Sequence, residues 1–169
     1  LSEILKEQVT LHKDMIAVAS NAAEIQDNWK KGLASAFLTM EDGRMVNGKM
    51  ERLKELYDTG VRAIALTWNY ANCFGFPNSR DPEIMNKGLT DFGIEAIGEM
   101  NRLGIMVDVS HLSDGGFYDV AKYSSKPFLA THSNCRALTD HPRNLTDDMI
   151  RVLADKGGVS GLNFCAGFV

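Results

Sequence analysis

Apolar residues recur along this chain in two alternating rhythms. Continuous apolar runs of strand length lie at Leu33–Thr39, Val61–Thr67, Ile105–Ser110, Pro127–Thr131 and Val159–Phe164. Between them are longer segments, Gly48–Thr59, Asp91–Leu103, Asp114–Tyr123 and Asp147–Lys156, whose apolar positions return every three or four residues. The first rhythm predicts buried parallel strands and the second amphipathic helices, so their alternation predicts an α/β fold of five parallel strands with four helical crossovers. Ahead of these, residues 2–19 carry Ile4, Leu5, Val9, Leu11, Met15, Ile16 and Ala19 at mainly helical spacing, and Ser20 or Asn21 can cap a short helix through Ile25. Residues 1–32 therefore read as a helical lead-in, and 33–169 as successive β/α units of one domain.

Glycines support these boundaries. Gly60, Gly104 and Gly157 each fall just past a predicted helix, where a left-handed residue ends the helix, and a strand begins at once. Helix-to-strand connections are short and strand-to-helix connections long. The longest, Trp68 to Thr90, contains Asn69-Tyr-Ala-Asn-Cys-Phe-Gly-Phe-Pro-Asn-Ser, which reads equally as a substrate-facing lid or as a packing loop covering the rim. The expected architecture is part of a (β/α)8 barrel, because a complete one takes about 250 residues. A doubly wound open sheet is the competing arrangement, although no glycine-rich phosphate fingerprint follows the first strand.

The chemistry gathers at strand ends. Val107-Asp-Val-Ser-His111 and Phe128-Leu-Ala-Thr-His132 each place a histidine just after an apolar run, and Thr39-Met-Glu41 places a carboxylate at the same rim. Two histidines and a glutamate are a sufficient set for a catalytic zinc, which uses about three protein ligands and keeps a position for water. His12 reads as a solvated residue on an amphipathic helix, and His141 as a loop residue outside the site. Arg143, in the same loop as His141, either takes a substrate carboxylate through paired hydrogen bonds or forms a structural salt bridge.

Composition narrows the partners. A net charge of -4, without a basic stripe, argues against nucleic acid. No apolar stretch is long enough to span a bilayer. Cys73, Cys135 and Cys165 are odd in number and irregular in spacing, so neither a disulfide framework nor a zinc knuckle is indicated, and a cytoplasmic location is expected. A homodimer is allowed by the sequence without being specified by it.

Several longer motifs add a resemblance. Glu41-Asp-Gly, Leu66-Thr-Trp-Asn, Gly88-Leu-Thr-Asp-Phe-Gly, Glu99-Met-Asn-Arg-Leu-Gly-Ile-Met-Val-Asp-Val-Ser-His111, Thr131-His-Ser-Asn-Cys-Arg-Ala-Leu and His141-Pro-Arg-Asn-Leu-Thr-Asp resemble, in order, the membrane (renal) dipeptidase family, peptidase M19, in its bacterial form. The resemblance implies a metal-dependent hydrolase barrel with two zinc ions, in which a metal-bridging hydroxide hydrolyses dipeptides. It implies that Glu41 bridges the metals, that His111 and His132 complete one metal position, and that Arg143 holds the substrate's C-terminal carboxylate. Trp68 stands where some members carry a histidine that polarises the carbonyl, which makes it a substrate-binding candidate. The family's opening His-x-Asp pair and its late catalytic aspartate have no counterpart here. The chain is thus expected to be the central portion of a dipeptidase and inactive by itself. The alternative is a family-like scaffold that has lost catalysis.

Overall fold

The computed structural model describes residues 2–169. Along the chain come α1 (Ser2–Leu11), β1 (Ile16–Val18), α2 (Ala22–Lys30), β2 (Ala34–Ala36), β3 (Leu38–Met40), a 3-10 turn (Gly43–Val46), α3 (Glu51–Asp58) and β4 (Val61–Ala65). Then follow α4 (Pro82–Met85), α5 (Asp91–Leu103), β5 (Met106–Asp108), α6 (Asp114–Tyr123), β6 (Leu129–Ala130), α7 (Asp147–Asp155) and β7 (Val159–Ser160).

Among the described residues, five strands form one parallel sheet in the order β3-β4-β5-β6-β7. Spatial order equals sequence order, so every crossover steps the same way and there is no reversal of the kind that defines a doubly wound sheet. This is the winding of a β/α barrel, present here as an incomplete arc.

Helix starts are encoded locally. Asn21, Thr90, Ser113 and Thr146 each accept a hydrogen bond from the backbone N–H three residues on, and an acidic residue follows within the first turn. Each such cap contributes about 1 kcal/mol, with a further favourable interaction between the acid and the helix dipole. At the other end, Gly104 takes φ +84° and donates its N–H to Met100 O, as its position past the helix predicts.

The lead-in is not wholly helical, which corrects the reading of residues 1–32. α1 stops at Leu11, and Ile16–Val18 forms a strand that pairs in parallel with Ala34–Ala36. The apparent helical period over 2–19 joined apolar positions from two elements. Pairing with β2 and the β-branched side chains of Ile16 and Val18 favour the strand. The run 33–39 likewise divides at Phe37, its first half pairing with β1 and its second with β4.

Strand alternation sorts the sheet into two faces. Pairing sets Ile64 beside Val107 and Ala65 beside Asp108. Ile64, Leu66, Val107 and Val109 belong to the buried core shared with helix residues such as Leu53, Ile97, Phe117 and Leu153. Burying each large side chain stabilises by about 1.5–3 kcal/mol. The opposite face carries Ala63, Ala65 and Asp108, and these line a cavity of about 220 Å³ together with Glu41, Thr131 and His132. Small side chains here leave room for the polar groups.

The long loop after β4 is anchored rather than free. Phe74 is fully buried, and Asn72 Nδ2 donates to Leu66 O and Asp42 Oδ1. Its first residues, Trp68 and Tyr70, remain exposed.

Two glycines of α5 test this packing. A Cβ at Gly93 would lie 2.1 Å from Phe74 O, whereas one at exposed Gly98 would meet nothing within 4 Å. Gly93→Ala is expected to destabilise by at least about 1–3 kcal/mol, and Gly98→Ala to stabilise by about 0.5–1 kcal/mol. Urea unfolding of the intact protein distinguishes them, and equal effects would contradict the seating of α5 on the loop.

Candidate metal centre

Three connections bring their first side chains to one rim. Glu41 directly follows β3, His111 lies three residues past β5, and His132 lies two past β6. His111 Nε2 is 3.0 Å from His132 Nε2, and Glu41 Oε1 is 3.1 Å from the first and 3.3 Å from the second. Among the described residues, this is the one cluster of three or more His, Cys, Asp or Glu side chains whose donor atoms converge.

The donor set fits a small borderline cation. Zinc binds imidazole nitrogen and carboxylate oxygen at about 2.0–2.2 Å, and neighbouring ligands of a tetrahedron with such bonds lie about 3.3 Å apart. The separations of 3.0, 3.1 and 3.3 Å approximate one face of that tetrahedron. Glu41 Oε1 is the oxygen nearest both imidazoles, and the Glu41 side chain is half exposed.

Backbone geometry sets the approach of each ligand. His111 adopts φ +70°, in the left-handed region that a bulky residue rarely enters. Its carbonyl accepts hydrogen bonds from Asn78 N at 2.8 Å, Asn78 Nδ2 at 3.0 Å and Thr67 Oγ1 at 3.2 Å, and these hold the unusual turn. A strained backbone held by three hydrogen bonds beside a cluster of donor atoms is the pattern of a functional site. Asp42, next to Glu41, also has positive φ, and its carboxylate binds Arg44, Arg44 N and Asn72.

The two imidazoles differ in their outer partners. His132 Nδ1 is 2.8 Å from Thr131 Oγ1, which in turn donates to Asp108 Oδ2. His111 Nδ1 is buried without a partner, so its ring is held by the backbone and by packing. Burial, then the charges of Arg143 and His132, push the His111 pKa down to about 3, which keeps this ring neutral.

Arg143 stands behind His132. It is only 7% exposed, donates from Nη2 to His132 O at 3.0 Å, and leaves Nε buried without an acceptor. No carboxylate pairs with it among the described residues, so the structural salt bridge is not formed. Burial lowers its pKa to about 10, opposed by the negative charges of Asp108 and Glu41, and it stays cationic at neutral pH. Trp68, 41% exposed, lies beside His111, with its ring centroid 6.3 Å from that of the imidazole. His12 is exposed in the turn after α1. His141 accepts from Arg143 N at 3.1 Å and packs on Phe168, so it braces the arginine's loop from outside the cluster.

Asp108, Thr131 and Asn78 support the site without having been singled out in the sequence. Asp108 had a signal: an acidic residue inside the apolar run Val107-Asp-Val109 needs a reason to be buried.

Comparison with known proteins identifies the chain's family. The model of the family described as membrane dipeptidase (peptidase family M19) matches residues 2–169. An uncharacterized protein of Klebsiella pneumoniae, from the pqqA 5' region, is 36% identical over 180 residues, covering 99% of this chain and 65% of that protein. The crystal structure of dipeptidase AC, a family M19 metallopeptidase, superposes with a TM-score of 0.90 at 33% identity, covering 99% of this chain and 50% of that one. A metallopeptidase from Rhodobacter sphaeroides, liganded with a phosphinate mimic of the dipeptide L-Ala-D-Ala, gives 0.86 at 33% identity, covering 98% and 48%. The chain spans about half the length of these structures. Matched from residue 2 to the last, and superposing on solved M19 enzymes along its length, the chain belongs to the membrane dipeptidase family, peptidase family M19.

Proposed function

We propose that this chain supplies the central part of the active site of a zinc-dependent dipeptidase. The observation that carries the reading is the convergence of Glu41, His111 and His132 at 3.0–3.3 Å on the rim of a parallel β/α arc. Two imidazoles and a carboxylate suit zinc among the common divalent ions. Glu41, with two carboxylate oxygens and a half-exposed side chain, would be able to hold a second zinc as well. Zinc held there supplies polarisation of a scissile carbonyl and activation of water near neutral pH.

The chain's own groups then define the substrate. Arg143 is a cation that no carboxylate neutralises among the described residues, a match in charge for the free C-terminal carboxylate of a short peptide. Trp68 forms an apolar wall beside His111, where a substrate side chain can pack. Its indole N–H can donate one hydrogen bond but, unlike an imidazole, cannot take up or give a proton near neutral pH. The L-Ala-D-Ala mimic bound by the Rhodobacter sphaeroides protein supports a dipeptide as substrate. Three unpaired cysteines suit a reducing, cytoplasmic setting.

The test is dipeptide hydrolysis by the intact protein, with loss on chelation and recovery with zinc. Arg143→Lys keeps a charge but loses the planar fork. It is expected to lower kcat/KM for dipeptides roughly 10- to 100-fold, from the 1.5–3 kcal/mol of a hydrogen bond to a charged group, and to change turnover of C-terminally amidated analogues little. Equal losses on both substrates would refute the carboxylate role.

The burial that keeps His111 neutral also makes the metal-free protein acid-sensitive. In the unfolded chain this imidazole protonates near about 6.5, while in the folded chain its pKa is about 3. Between these values the unfolded state binds more protons, so stability is lost as pH falls from about 6.5. His111→Asn, which tolerates the left-handed backbone, is expected to flatten that slope by up to about 1 kcal/mol per pH unit. Urea titrations at several pH values measure it, and parallel slopes for both proteins would contradict a proton-excluded His111.

A further inference from the structure

Asp108 is not one of the converging ligands, yet its carboxylate is bonded to both segments that carry the histidines. It is 4% exposed. Oδ1 accepts Ser110 N at 2.9 Å, one residue before His111, and Thr131 N at 3.1 Å, one residue before His132. Oδ2 is 2.5 Å from Thr131 Oγ1, and that hydroxyl is 2.8 Å from His132 Nδ1.

The proton inventory of this chain of contacts has one solution. A carboxylate only accepts, and a threonine hydroxyl has one proton to give. Ser110 Oγ is a competing partner for that proton, but at 3.4 Å it is far weaker than Oδ2. Thr131 therefore donates to Asp108 and accepts from His132, so the ring proton sits on Nδ1. His132 Nε2 is left with its lone pair directed at the cluster formed with His111 Nε2 and Glu41 Oε1. In a neutral imidazole, the hydrogen bond made by one nitrogen decides what the other can do.

We propose that Asp108, acting through the Thr131 hydroxyl, is a positioning residue that fixes His132 in the Nδ1–H tautomer and so keeps Nε2 available as a ligand atom. The purpose of this relay rests on the zinc reading above, whereas the tautomer itself exists with or without metal. Because Oδ1 also holds the backbone before each histidine, one carboxylate aligns both imidazoles.

Asparagine at this position reverses the relay without changing its shape. The two backbone N–H groups require the amide oxygen of Asp108→Asn at the Oδ1 position, which places the NH2 group against Thr131 Oγ1. The amide then donates, the hydroxyl turns its proton toward His132 Nδ1, and the ring proton moves to Nε2. The nitrogen facing the site becomes a donor and stops being a ligand. Thr131→Val removes the link altogether, and Thr131→Ser preserves it.

The experiment is 15N NMR of the histidine rings in the intact, metal-stripped protein near pH 7.5, with His132 assigned by its loss in His132→Gln, alongside zinc titrations of each variant. The expected result is Nδ1–H in the wild type and in Thr131→Ser, and Nε2–H in Asp108→Asn. Zinc affinity is expected to fall about 10- to 100-fold in Asp108→Asn and Thr131→Val and to be retained in Thr131→Ser. A His132 tautomer unmoved in Asp108→Asn overturns the proposal even if zinc binding weakens, since Asp108 would then act through packing alone. Should that variant not fold, Nδ1–H retained in Thr131→Val overturns it equally. A tautomer that moves as expected in a protein that binds no zinc upholds the relay and removes the zinc reading instead.

Discussion

A carboxylate oxygen and two imidazole nitrogens held within 3.3 Å of one another concentrate lone pairs, and such a cluster is stable only when protons or a cation are shared among them. The rest of the architecture follows from meeting that requirement. The three donors come from three connections, and only parallel strands that all end at the same rim bring such distant positions of the chain together. Helix burial on the outer face supplies the stability. The inner face gives up large side chains at Ala63 and Ala65, and there the polar network is built.

The site is rigid because the strained positions are fixed by neighbours that do not belong to it. The left-handed turn at His111 is held by Asn78 and Thr67 from the β4 side, so the long loop after β4 supports the donor cluster as well as bordering it. Arg143 is organised from the far side, its backbone N–H donating to His141 Nδ1 and its Nη2 to His132 O. The ring of His132 is thus constrained at its Nδ1, its carbonyl and its backbone N–H, the last donating to Ser110 Oγ. A donor cluster held with this much support is preorganised, so that an ion bound there would not have to reshape the protein around itself.

Much of this was legible in the residues, for physical reasons that differ by element. α5 and α6 carry strong N-caps and a clear apolar period, and their predicted bounds match the structure at both ends. The two converging histidines were visible because an imidazole just after a buried run has few structural uses. The strand at Ile16–Val18 was hidden because three residues are too few to display a period, and because its stability comes from pairing with Ala34–Ala36 and not from local preference. The burial of Arg143 and its hold on His132 O depend on the path of a loop, which no spacing rule specifies. Asp108 and Thr131 were present in the quoted motifs, but their joint role depends on β5 and β6 lying side by side, with Asp108 opposite Leu129.

The most direct measurement is elemental analysis of metal in the intact protein, purified without added zinc, together with His111→Ala and His132→Ala checked for retained secondary structure. The proposed dipeptidase function predicts about two zinc ions per chain, and a loss in both variants while the fold persists, because residues on the rim contribute little to the core. A folded wild-type protein that neither carries nor takes up metal would contradict it, and the convergence of Glu41, His111 and His132 would then be a hydrogen-bonded cluster without a catalytic ion.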